Sequence, residues 1–207
     1  EFINFNEKVT ESNWEPNNLL NKKEVLILAT GPSTKKYKSA LENYIKKFKP
    51  FVIALNTASL IDDKLIDMRA ACHPLRIVTD IDKYNSMKQP LVCPFSTFDE
   101  NFSSRIDLRN VFDFGLLIKK NTFEFHEKFC IIPKPLVLLY AISIAISGKA
   151  KSIKLTGVDG YAPGDPRNEE LNDFLEILFN LVPNSLEIKS LTPTCYRYLD
   201  KESVFGY

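Results

Sequence analysis

Two short apolar runs, Val25 to Ala29 and Phe51 to Leu55, flank a segment with helical spacing, and this constrains the fold more than any other feature. Each run is continuous, as suits a strand buried on both faces. Between them Tyr37, Leu41, Tyr44, Ile45 and Phe48 recur at helical intervals, predicting a helix over Lys35–Phe48. The lysines on its other side read as solvated surface. Strand, Gly-Pro-Ser turn, helix and strand follow one another within about thirty residues, the length a right-handed crossover between parallel strands requires.

The alternation continues. Strands are expected at Arg69–Cys72, Leu91–Cys93, Phe129–Ile132, Ser152–Thr156 and Leu186–Ser190. Helices are expected at Leu75–Tyr84, Pro133–Ser147 and Asn168–Leu181, with Gly148 as a C-cap. Phe95 to Glu127 is aromatic and of mixed polarity, and yields only a strand near Val111–Phe114. The reading is an α/β fold of modified Rossmann type, a mostly parallel sheet with helices on both faces. Residues 1–22, polar and rich in Asn, read as a linker or N-terminal arm, and residues 23–207 as one domain. The first residue is Glu, so the chain is expected to be a piece of a longer protein.

With 27 basic and 26 acidic residues the formal net charge is +1. No global field draws nucleic acid or an anionic surface, which leaves room only for a local patch. The longest apolar run, Pro135 to Ile146, is too short to span a bilayer. Cys72, Cys93, Cys130 and Cys195 form no Cys-x-x-Cys pair, and there are two histidines, so no metal site is expected. Reduced thiols point to a cytoplasmic location.

Ligands of open α/β sheets bind beyond the carboxyl ends of the strands, where the unusual residues cluster. Gly31-Pro32-Ser33-Thr34 joins a strand to a helix. Its N–H groups and hydroxyls suit a phosphate, or Ser33 or Thr34 serves only as a helix cap. The turn matches neither the dinucleotide fingerprint nor a Walker loop. Asn56-Thr57 follows the second strand and suits a base or ribose edge, or a turn. His73, before Pro74, suits a general base or a phosphate contact, or is satisfied locally. Arg76 reads as a surface residue, and so does His126. Gly157-Val158-Asp159-Gly160-Tyr161 places a carboxylate in a glycine-flanked turn, for a ribose, a sugar hydroxyl or a metal, or as a base, or as a plain Asx turn. Ala162–Asn168 reads as a mobile loop over that turn, and Thr192 and Thr194 as hydroxyls of the same crevice or of a turn.

The segments from Val25 to Asn56, Arg69 to Asp80, Gly157 to Asn172 and Ser190 to Tyr196 resemble the C-terminal domain of bacterial aldolase-like proteins. Those proteins carry an N-terminal pyruvate-aldolase-type barrel and act in surface-polysaccharide and sugar-acid pathways. More distantly, the Gly-Pro-Ser turn, the Asn and the late Gly-Val-Asp-x-Tyr turn are similar to bacterial sialyltransferases and to 6-hydroxymethylpterin diphosphokinase-like proteins. The resemblance implies a nucleotide or sugar-nucleotide domain, CMP-linked or otherwise, partnered by an aldolase barrel. In it Gly31, Pro32, Ser33 and Asn56 touch the nucleotide, with Asp159 and Tyr161 beside it. If the domain turns over substrate, it would be a glycosyltransferase-like enzyme or one part of an aldolase. The alternatives are a non-catalytic accessory or oligomerisation domain and a Mg²⁺-dependent diphosphokinase. Sialyltransferases of this kind place a histidine base after the Asp-x-Tyr turn. This chain has no histidine after His126, so the base would fall to His73 or Asp159.

Overall fold

The computed structural model describes residues 12–98, 103–107 and 110–206. Residues 1–11 of the expected arm, and 99–102 and 108–109 of the unreadable stretch, lie outside them. Eleven strands occur among the described residues. They are β1 (Glu24–Leu28), β2 (Phe51–Leu55), β3 (Met68–Ala70), β4 (Leu91–Cys93), β5 (Val111–Asp113), β6 (Gly115–Ile118), β7 (Glu124–Phe125), β8 (Phe129–Ile132), β9 (Ser152–Thr156), β10 (Glu187–Ser190) and β11 (Asp200–Lys201). Seven α-helices are described with them: α1 (Asn17–Leu20), α2 (Pro32–Lys36), α3 (Lys38–Phe48), α4 (Pro74–Thr79), α5 (Ile81–Ser86), α6 (Val137–Ser147) and α7 (Pro166–Leu181).

Eight strands form one parallel sheet in the order β11-β10-β9-β1-β2-β3-β4-β5. The fold is therefore α/β and Rossmann-like, with helices on both faces. Successive residues of β1 point to opposite faces. Leu26 and Leu28 join Leu41, Tyr44 and Ile45 of α3 on one side. Val25 and Ile27 join Leu139 and Ile142 of α6 and Leu171 and Leu175 of α7 on the other. Each such side chain removed from water stabilises the fold by roughly 1.5–3 kcal/mol.

α6 has no charged residue, which a helix covered on several sides requires. It packs on β1, β2 and β3 on one side and on β7 and β8 on the other. β7 and β8 belong to a second sheet of order β6-β8-β7, parallel between β6 and β8 and antiparallel between β7 and β8. This small sheet is absent from the sequence reading. The expected strand at Val111–Phe114 divides at Phe114, which is fully buried, and the chain leaves the main sheet there.

Other boundaries shift for local reasons. The expected Lys35–Phe48 helix starts earlier, at Pro32, and breaks at Tyr37 (φ −106°, ψ 17°) into α2 and α3. Leu75–Tyr84 begins at Pro74 and breaks at Asp80 in the same way. Pro133 and Pro135 disfavour helix in the residues before them, and Leu136 is extended, so α6 begins only at Val137. α7 begins at Pro166 because the Asp165 carboxylate accepts the Arg167 N–H and caps it. The end of the presumed linker is part of the core. Trp14 stacks on Phe112 at 4.8 Å and Leu20 is fully buried. In β9, Lys154 is buried but held by Glu187 and Glu202, as a buried charge requires.

Candidate functional site

From β1 the chain runs outward through β2, β3, β4 and β5, then returns through α6 to β9 on the opposite side of β1. The carboxyl ends of β1 and β9 are thus the switch point of the sheet, where neighbouring crossovers diverge and leave a crevice. A cavity of about 310 Å³ lies there. Ala29, Thr30 and Gly31 after β1, Gly157 to Tyr161 after β9, and Leu136, Val137 and Leu138 at the start of α6 line it, with Leu171 and Tyr196.

The two glycine turns lock together. The Gly31 N–H donates to the Gly157 carbonyl at 3.0 Å. A Cβ on Gly31 would overlap Asp159 Oδ2 and that carbonyl, and one on Gly157 would overlap Thr34 Oγ1 and the Ala29 carbonyl. These glycines are required by the approach of one turn to the other. Gly157 also has φ +68°, where L residues are strained. Its N–H donates to Thr192 Oγ1 at 3.0 Å.

Asp159 accepts the Ser33 N–H at 3.0 Å and the Ser33 hydroxyl at 2.8 Å. The anion held at the start of α2 is therefore the protein's own carboxylate. Thr34 donates its hydroxyl back to the Ala29 carbonyl at 2.9 Å. Neither Ser33 nor Thr34 is the N-cap of α2; that residue is Gly31, with Pro32 at the first helical position. Ser33 and Thr34 are buried and do not line the cavity, in contrast to the hydroxyl cradle expected from sequence. A carboxylate offers about four acceptor positions, so Asp159 retains capacity for a ligand hydroxyl.

The loop above is braced. Arg167 lies 3.8 Å from the Tyr161 ring centroid and pairs with Asp165 through Nε and Nη2. Those bonds, with the Arg167 N–H, hold the Asp165 carboxyl down at about 2. Asn168 accepts the Tyr161 N–H at 2.8 Å and donates to the carbonyls of Tyr161 and Ala162. Gly160, at φ +107°, packs so closely on Cys195 that a Cβ would overlap its Sγ. Thr194 accepts the Tyr196 N–H.

Of the turns expected to share one crevice, those at Gly31 and at Gly157 to Tyr161 meet in the cavity. Asn56-Thr57 and His73 lie on the same sheet edge, after β2 and β3, but do not line it. Asn56 sits at φ +58°. Arg69, almost wholly buried, donates to the carbonyls of Asn56 and Thr57 and pairs with Asp63. His73 is exposed and is the N-cap residue of α4. Thr192 and Thr194 support backbone rather than the cavity wall. Sequence reasoning missed Leu136 to Leu138, whose only signal was the Pro-Lys-Pro before an apolar run.

Thr57 donates to Asp80 at 2.7 Å, and Lys83 pairs with it at 2.6 Å. The Lys83 and Thr57 hydrogen bonds hold the Asp80 carboxyl below its ordinary value. A folded value below the unfolded one adds stability that is complete above the unfolded value and lost as pH falls through the folded one. Thr57→Val is expected to move the Asp80 titration upward, read by NMR, and to shrink its acid-side contribution. An unchanged Asp80 titration would contradict this assignment.

No protein-family model matches the sequence, and comparison with curated proteins returns no match.

Proposed function

We propose that the switch-point crevice binds a nucleotide or sugar nucleotide. The observation that carries this reading is the cavity between the carboxyl ends of β1 and β9, where open α/β sheets bind their ligands. The surroundings indicate how a ligand would lie. No side chain caps the first turn of α6, and Val137 and Leu138 belong to the wall. Their N–H groups at the positive end of the helix suit a phosphate. The phosphate contact thus moves from the Gly31 turn, filled by Asp159, to the start of α6. Tyr161, exposed at the cavity, offers ring surface to a base or sugar, and Asp159 an acceptor for its hydroxyls.

Binding is the function proposed. A glycosyl-transfer step would need a base beside the acceptor hydroxyl, and Asp159 is the carboxylate at the cavity. The link to an aldolase partner rests on resemblance alone.

A thermal-shift panel of CMP, CDP, UDP, GDP, ADP and ATP beside their nucleosides, with and without Mg²⁺, tests the reading. A ligand bound only by the folded chain, at a hundredfold excess over its dissociation constant, adds about 2.7 kcal/mol. Stabilisation by at least one phosphorylated ligand, and less by its nucleoside, is the expected result. No stabilisation by any of them would overturn it.

A further inference from the structure

The amino ends of the central strands, opposite the crevice, gather lysines from three separate parts of the chain. Lys22 and Lys23 precede β1, Lys46 and Lys47 end α3, Lys49 precedes β2, and Lys149 and Lys151 precede β9. The backbone brings them together. The Lys22 N–H donates to the Lys149 carbonyl at 3.0 Å, and the Lys151 N–H to the Lys23 carbonyl at 2.7 Å. Lys23 Nζ lies 5.5 Å from the ring centroid of Phe51, two residues beyond Lys49.

All seven lysines are exposed, and none has an ion pair among the described residues. Three carboxylates share this edge with the seven lysines, and Asp67 accepts the Val52 N–H at 2.8 Å. Glu24 accepts from Tyr44 and Ser152, and Glu187 pairs with Lys154 and Lys189. Beside the lysines Phe48 is 42% exposed, with Lys47 Nζ 5.0 Å from its ring centroid. With the whole chain at +1, this concentration of charge is made by the fold. The lysines of α3, solvated surface when read along the sequence, here become part of a larger patch.

We propose that this edge docks on the surface of an anionic lipid bilayer, with Phe48 entering the headgroup layer and the lysines lying over the lipid phosphates. Clusters of four to eight basic residues have this affinity for anionic leaflets, and an exposed aromatic beside them supplies an interfacial anchor. The composition favours lipid over nucleic acid. The patch contains no arginine, the residue whose planar fork recognises phosphates and base edges in pairs, whereas lysine acts as a point charge. No described helix is long and apolar enough to cross a membrane, so the contact is peripheral. The crevice, at the other end of the strands, would face away from the bilayer. The inference rests on charge and topology and does not depend on the nucleotide reading.

The test is vesicle flotation of the full chain with phosphatidylcholine alone or mixed with phosphatidylglycerol. The chain is expected to float with the mixed vesicles, to stay behind with the neutral ones, and to be released by salt. Reversing three lysines (K46E/K47E/K151E) should lower partitioning at least about tenfold, given roughly fivefold per charge near such a surface. The neutral triple K46Q/K47Q/K151Q should lower it less, and Phe48→Ser should lower it in mixed vesicles. The control K35E/K36E/K38E, at the crevice end of the same face, should stay within about twofold, because screening confines the attraction to about a Debye length. Matching melting temperatures would show that the variants fold; if the Glu triple does not, the Gln triple decides. The proposal is overturned by failure to float with mixed vesicles, by equal flotation with neutral ones, or by an equal loss in the control. Binding to a duplex oligonucleotide without flotation would assign the patch to nucleic acid instead.

Discussion

Gly157→Ala is expected to cost about 4 kcal/mol or more, because a new Cβ must displace backbone as well as adopt a strained φ. At roughly 2–4 °C per kcal/mol for a chain of this size, the melting temperature falls by about 10 °C or the protein fails to accumulate. The cause is specific. At φ +68° the added carbon overlaps the Ala29 carbonyl and Thr34 Oγ1, which anchor the end of β1 and the start of α2. Gly164→Ala is the matched comparison. It too has positive φ, +84°, but nothing lies within 4 Å of its Cβ position. Its cost should be only the left-handed backbone penalty, about 1–2 kcal/mol. Equal losses in the two variants would mean that strain alone matters and that the turns do not interlock. Thermal or denaturant unfolding of both separates the cases.

Asp159→Ala is expected to cost about 2–3 kcal/mol, the range of hydrogen bonds made to a charged group. It strands the Ser33 N–H and hydroxyl together, at the start of a helix with no other side-chain cap. Ser33→Ala should cost less, about 1–2 kcal/mol, since the N–H bond survives. The double variant should lose less than the sum, by roughly 1 kcal/mol, because the same bond is removed only once. Strict additivity in this cycle would contradict the clamp. The cycle bears on function as well. If Asp159 holds α2 in place and also meets ligand hydroxyls, Ser33→Ala should weaken binding far less than Asp159→Ala does.

The continuous runs at β1, β2 and β9 were legible because strands buried on both faces must be apolar throughout. The order of elements followed, and with it the parallel sheet and the edge on which a site would lie. The small second sheet was not legible. β7 has two residues, and Phe114 divides what reads as one strand. Trp14 and Leu20 carry no periodicity, so their burial is visible only once β5 and α6 are in place.

In the site, glycine after a strand singled out Gly31 and Gly157 in the sequence, but not the turn that each packs against. The partner of Ser33 lies 126 residues away, and no local pattern encodes it. Leu136 to Leu138 line the cavity at the start of α6, and the Pro-Lys-Pro before them does not say which strands that helix start will face. The lysine edge is a similar case, assembled from three segments that are remote in sequence.

The central claim is that a ligand phosphate meets the first turn of α6. Leu138→Glu tests it most directly. The substitution puts a carboxylate at the second position of that helix, where it favours the helix dipole and occupies the place of the phosphate. The measurement is the thermal shift of wild type and variant with the best nucleotide of the panel. The account predicts a lowered unliganded melting temperature, because Leu138 is partly buried against the core, and a ligand shift reduced to a small fraction of about 2.7 kcal/mol. An undiminished shift in the variant would place the ligand elsewhere and contradict the account.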